Sequence, residues 1–125
     1  MNSQNNAGLQ HQKITAMTLV ATAALLANRL IAYDGTHATS AGGVKDAQGV
    51  SETNAAIGDA VSVVTSYSYL VQASAAIAFG DYIKPAADGS GRAEVGAIDD
   101  HCGRALGAAA EGQLFEMQIV RHVHA

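Results

Sequence analysis

Glycine beside a polar residue recurs at such short intervals that no long helix fits beyond residue 28. Asp34-Gly35, Gly42-Gly43, Gly58-Asp59, Gly80-Asp81 and Asp88-Gly89 are turn dipeptides, and no segment between them keeps a helical period for more than a couple of turns. The intervening runs have strand character, at residues 29–33, 49–52, 61–65, 67–71, 81–84, 92–95 and 114–120. In the last of these, Phe115, Met117 and Ile119 alternate with Glu116 and Gln118, which is the pattern of a half-buried strand. The expected fold class is all-β, a small β-barrel or β-sandwich with short helical turns.

A weak internal repeat supports that class. "AAIGDAVSVV" (55–64), "AAIAFGDYIK" (75–84) and "AAAEGQLFEMQIV" (108–120) each pass from an alanine-rich approach, through glycine and a polar residue, into a strand. Small residues cross the end of the barrel, glycine supplies the unusual backbone angle, and the next strand begins.

Residues 13–27, "KITAMTLVATAALLA", admit two readings. A lysine, an apolar run and small residues near Ala27 mimic a secretory signal, with a mature start at Asn28. As a strand, Ile14, Ala16, Thr18 and Val20 share one face and Thr15, Met17 and Leu19 the other. The strand is preferred, because a polar lead with one lysine is a weak signal start. The run is too short to span a bilayer. Its alanine-rich end, 21–27, has the composition of a helical turn or two. The lead "MNSQNNAGLQHQ" has no apolar periodicity and reads as a flexible polar arm over 1–12, before a single β-rich domain over 13–125.

The core such a domain can build is thin. Of 125 residues 49% are hydrophobic, but 26 of those are alanine, and Leu, Ile, Val and Phe together number 27. Alanine buries little area, so the fold gains from burying further surface against copies of itself or a partner. Net charge is −4, with seven Lys and Arg dispersed along the chain, so no basic stripe exists to neutralise nucleic-acid phosphates. The single Cys102 makes no internal disulfide.

Several groupings invite a chemical reading and carry a plainer one. In "DDHCG" (99–103) His101 and Cys102 point to opposite faces of an extended segment, so they do not form a nucleophile–base pair, and Cys102 reads as a buried residue near a turn. His122 and His124 share a face of a presumed strand, but zinc needs further ligands, with only His101, Cys102 or His37 available from far off; they read as titrating surface histidines near a frayed terminus. No metal or other cofactor is expected. Asp59, Asp81, Asp99 and Asp100 sit near glycines, where Asp commonly bonds turn backbone. Tyr67 and Tyr69 read as cross-strand packing rather than a sugar-binding patch.

"DGSGRA" (88–93) resembles the start of a phosphate cradle. Such a loop needs a helix opening directly after it, and "RAEVGAIDD" starts none. Pro85 ends the strand before it, so Asp88-Gly89 is expected to turn a hairpin between 81–84 and 92–95.

The ordered set "ANRLIAYDG", "GVS", "AAIGDAVSVV", "AAIAFGDYIKPAADGSGRA" and "GRALGAAAEGQLFEMQIV" resembles the capsid cement or head decoration proteins of tailed bacteriophages, from about Ile14 to Val120. The resemblance implies a β-tulip-like fold and a non-enzymatic virion protein on the exterior of the capsid. Its implied partners are the major capsid protein and itself, as a trimer in preference to a dimer, with neither nucleic acid nor membrane. The chain departs from the family pattern at Asn28, which replaces a glycine, in the arm before His11, and in the histidine-rich end after Val120. Candidate capsid or neighbour contacts are Asn2, Gln4, Asn5, Asn6, Leu9, His11 and Gln12 of the arm. The competing classes are a secreted or cytoplasmic β-domain that binds a ligand and a small Cys/His enzyme.

Overall fold

The computed structural model describes residues 13–123, with side chains from residue 15 onward. Eight strands run in chain order: β1 Lys13–Val20, β2 Leu30–Ala32, β3 Ala47–Ser51, β4 Ala60–Gln72, β5 Tyr82–Pro85, β6 Ala93–Val95, β7 His101–Ala105 and β8 Leu114–Val123. They form one antiparallel sheet in the order β2-β3-β4-β8-β7-β5-β6, with β1 paired to β4 outside this path. The sheet curls until its ends nearly meet: Leu30 N–H of β2 donates to Gly91 O just before β6 at 2.7 Å. The fold is an all-β, nearly closed barrel.

Two expectations change. Residues 21–27 form no helical turn; Ala21 and Leu25 are buried, and Leu25 pairs with Ala55 in an isolated antiparallel bridge. Tertiary hydrogen bonds override alanine's helix propensity there. The predicted strands 61–65 and 67–71 are one strand, β4, kinked where Tyr67 takes a left-handed φ of 59°. Near that kink the pairing passes from β1 and β3 to β8, so the apparent break in the sequence marks a change of partners.

Four corners of one design organise the barrel. They begin at Ala21, Ser51, Ala73 and Ala105, all buried. Four residues on, Leu25, Ala55, Ile77 and Ala109 make bridges. Seven on, Asn28, Gly58, Gly80 and Gly112 take φ of 59°, 89°, 87° and 83°. Nine on, Leu30, Ala60, Tyr82 and Leu114 begin strands β2, β4, β5 and β8.

The corners associate in two pairs with the same reciprocal backbone bonds. In the first pair Leu25 and Ala55 exchange N–H···O bonds (2.8 and 3.0 Å), Gly58 N donates to Ala21 O, and Asn28 N to Ser51 O (both 2.9 Å). In the second pair Ile77 and Ala109 exchange bonds (2.8 and 3.0 Å), Gly80 N donates to Ala105 O, and Gly112 N to Ala73 O (both 2.8 Å). Each pair is therefore a local pseudo-two-fold unit, and the sheet is strung between two of them.

The main core fills the barrel with Leu30, Val50, Val71, Ile83, Phe115 and Met117 among many alanines. A second cluster of Ala21, Leu25, Ile31, Ala55, Val61 and Val63 lies under the first corner pair. Leu30 and Ile31 thus feed different cores from opposite faces of β2.

Candidate interaction surface

The corner turns present side chains outward because their backbone groups are satisfied locally. In three corners the N–H that follows the bridge residue is held by a side chain three positions on: Ala56 by Asp59 Oδ2 (3.1 Å), Ala78 by Asp81 Oδ2 (2.9 Å) and Ala110 by Gln113 Oε1 (2.9 Å). The reading of Asp59 and Asp81 as turn-bonding carboxylates holds. With the turns tied down, their tips point into solvent: Ile57 is 72% exposed and Phe79 73%. Leu26 and Val20 add exposed apolar surface near the first pair, and Leu114 near the second.

A second surface follows β1. Thr15, Ala16, Met17, Thr18 and Val20 are all exposed, so this strand has no face fully committed to a core. It pairs with β4 alone among the described strands. Beside it, Met17, Tyr33, Thr65, Ile119 and Arg121 line a groove of about 350 Å³. A chain with so few large apolar residues nevertheless exposes many of them, and such surface commonly marks association.

The strand reading of 13–27 also bears on the signal-peptide alternative. A chain starting at Asn28 would lack β1 and the buried Ala21 and Leu25, removing half of the first corner pair.

"DGSGRA" turns the β5–β6 hairpin, as expected. Two of its amides are spent inside the loop: Ser90 N–H donates to Asp88 Oδ1 at 2.9 Å and Arg92 N–H to Ser90 Oγ at 3.2 Å. Two of its carbonyls face neighbours, Ser90 O accepting from Arg29 Nη1 and Gly91 O from Leu30 N–H, both at 2.7 Å. Accepting oxygens turned toward donors make poor anion ligands. Gly91, at φ 75°, has no room for a side chain, because a Cβ would lie 3.0 Å from the His37 ring and from Leu30 O.

Cys102 is fully enclosed in the main core, and burial pushes its thiol up to about 12, with Asp100 adding to the effect. It is a protonated apolar side chain at neutral pH. His101 lies on the opposite side of β7, 4.7 Å from the Tyr82 ring, with Nδ1 3.1 Å from Ala97 O. Tyr69 is half-buried against the main core, while Tyr67 is exposed; they pair across to Met117 and Ile119.

His122 departs from the surface reading. Its side chain is only 3% exposed, Nδ1 accepts from Ala47 N–H at 2.9 Å, and Nε2 lies 3.7 Å from Asp100 Oδ1. β8 runs farther than the alternation at 114–120 indicated, and that extension carries His122 into the barrel wall beside β3. Among the described residues no group of three or more His, Cys, Asp or Glu side chains is arranged to hold a metal. His124 and the arm candidates Asn2, Gln4, Asn5, Asn6, Leu9, His11 and Gln12 lie outside the described residues.

Sequence reasoning missed β7 and the first corner. β7, "HCGRA", has no apolar alternation because Gly103 packs beneath Met117 and Arg104 stacks over the Tyr82 ring at 4.3 Å. The first corner was detectable only through its spacing, since Asn28 and Arg29 replace the glycine and the capping acceptor.

No protein-family model matches the chain, and no curated protein matches it. Among solved structures, the chain resembles the crystal structure of the head fiber gp8.5 N base in bacteriophage phi29, with a TM-score of 0.63 and 23% identity. The match covers 89% of this chain and 98% of that one, so the two share a fold over nearly all of the described strands.

Proposed function

We propose that this chain is a structural protein of a tailed-phage head that binds the outer surface of the capsid as a homo-oligomer and cements the expanded shell. The observation that carries this reading is the fold shared with a phage head fiber base over 98% of that chain. The ordered fragments that resemble head decoration proteins point the same way from sequence. The major capsid protein and further copies of this chain are its partners, a trimer being favoured over a dimer, and its place is the virion exterior after synthesis in the host cytoplasm. Multivalent attachment lets modest contacts at each site add up to a tight clamp. The thin core and the exposed Ile57, Phe79, Met17 and Tyr33 support association as its mode of action. A non-enzymatic role accords with the enclosed, protonated Cys102.

Co-sedimentation with purified expanded heads tests the proposal, using the full chain and a variant lacking residues 1–12. Saturable binding by the full chain and weakened binding by the truncated one are expected. Failure of the full chain to bind heads refutes the function, whereas undiminished binding by the truncated chain refutes only the role of the arm.

A further inference from the structure

The first corner differs from the other three in what holds its turn. At the position of Asp59, Asp81 and Gln113 it carries Arg29, which cannot accept a hydrogen bond. The equivalent N–H, that of Leu26, donates instead to Nε2 of His37, eleven residues away, at 3.2 Å. The contact across the turn also changes. Asp59, Asp81 and Gln113 donate their N–H directly to Ala56, Ala78 and Ala110 O, whereas Ser51 Oγ lies between Arg29 N–H (3.2 Å) and Leu26 O (2.7 Å).

This corner lies at the closing seam of the barrel. His37 is half-buried against Gly91, whose carbonyl receives the Leu30 N–H, and Leu30 O in turn accepts from Ala38 N–H at 2.9 Å. Arg29 donates to Ser90 O on the same loop, yet its buried Nε has no hydrogen-bond partner among the described residues. The seam therefore holds a buried donor that no hydrogen bond among the described residues satisfies. The ring borders a cleft of about 420 Å³ lined by Thr36, Lys45 and Asp88, so protons reach it without unfolding.

We propose that His37 is an acid-sensitive latch, whose protonation withdraws the acceptor from the first corner and loosens the seam between β2 and the loop before β6. In the neutral ring Nε2 accepts from Leu26; in the imidazolium both nitrogens are donors, and Nε2–H faces a backbone N–H. The charges around it do little to welcome a proton. Arg29 faces it from the corner, and Lys45 comes from the approach to β3 with its charge matched by Asp34 at 2.9 Å. Asp88, the acid of the hairpin loop, lies 3.8 Å from Arg92. Burial first and Arg29 second hold the His37 pKa below its ordinary value. A depressed histidine pKa means that the stabilisation is complete above the unfolded value of about 6.5 and is lost as pH falls toward the folded value.

Amide exchange of the full chain at about pH 7 and about pH 5.5, corrected for intrinsic exchange, tests the latch. Protection at Leu26, Leu30 and Ala38 is expected to fall more than at Ala110, by up to about tenfold, because the Ala110 acceptor Gln113 does not titrate. In His37→Gln, which offers an acceptor without a titrating proton, the excess loss is expected to vanish. An equal change at both corners, or the same excess in His37→Gln, overturns the proposal. Should that variant fail to fold, ring and amide titration of the unaltered chain by NMR decides it. The Leu26 amide shift must follow the His37 ring, and a ring that titrates without moving that amide overturns it.

Discussion

The two corner pairs share one backbone and differ in chemistry. The second pair, built on Gly80 and Gly112, caps its turns with Asp81 and Gln113 from the same turn. The first pair replaces one glycine by Asn28 and one local cap by the distant His37, and closes the barrel against Gly91. The corner is thus defined by reciprocal backbone bonds, a left-handed residue and an acceptor, whichever residues supply them. Where the acceptor comes from afar, the corner depends on tertiary packing, and the two pairs should respond differently to perturbation.

The largest effect is expected at the seam. Gly91→Val adds left-handed strain and a clash with His37 and Leu30 O, and should destabilise by on the order of 3 kcal/mol or more, read from denaturant midpoints. Gly80→Val meets no atom within 4 Å, so only backbone strain applies, at about 1–2 kcal/mol. Equal losses would show that the two pairs are energetically alike.

A smaller effect is expected from the caps. Asp81→Ala should cost about 1 kcal/mol, and Asp59→Ala a similar amount, with the exchange of Ala78 and Ala56 amides rising locally. Arg29→Asp places an acid where the other corners carry their acceptor; if the repeat is as described, the Leu26 amide should exchange independently of His37. Smaller still is Asn28→Gly. Relief of left-handed strain is offset by loss of the Asn28 Nδ2 bond to Leu70 O (2.9 Å), and the net change should stay within about 0.5 kcal/mol by thermal unfolding.

The last contrast concerns acid, in the turn beside the His37 cleft. Hydrogen bonding from Thr36 first, and then Lys45, lowers the Asp34 carboxyl to about 2. Its stabilisation is whole above the ordinary carboxylate range and is lost as pH falls from about 4 toward 2, separately from the His37 range. Asp34→Asn should remove this acid limb from a stability–pH profile and leave the higher one.

How far the sequence revealed this arrangement follows from how the repeat is written. Three corners carried glycine with Asp or Gln beside it and were visible, and Phe115, Met117 and Ile119 marked a strand by alternation alone. The first corner was hidden because Asn28 does the work of glycine and His37 that of aspartate. β7 was hidden because its pattern answers to Met117 and Tyr82, which are neighbours only in the fold. His122 looked like a terminal surface residue, because nothing local shows that β8 continues alongside β3. The arm chosen for capsid contact falls outside the described residues, whereas the described surface offers Ile57, Phe79 and the exposed β1, none of which a motif announces.

The most direct test of the proposed head role is a cryo-EM map, at side-chain resolution, of the purified particle. Density for this barrel is expected on the outer face of the expanded shell, in symmetric clusters where neighbouring capsid subunits meet. Its absence from mature particles, or its presence only inside the shell, would contradict the proposal.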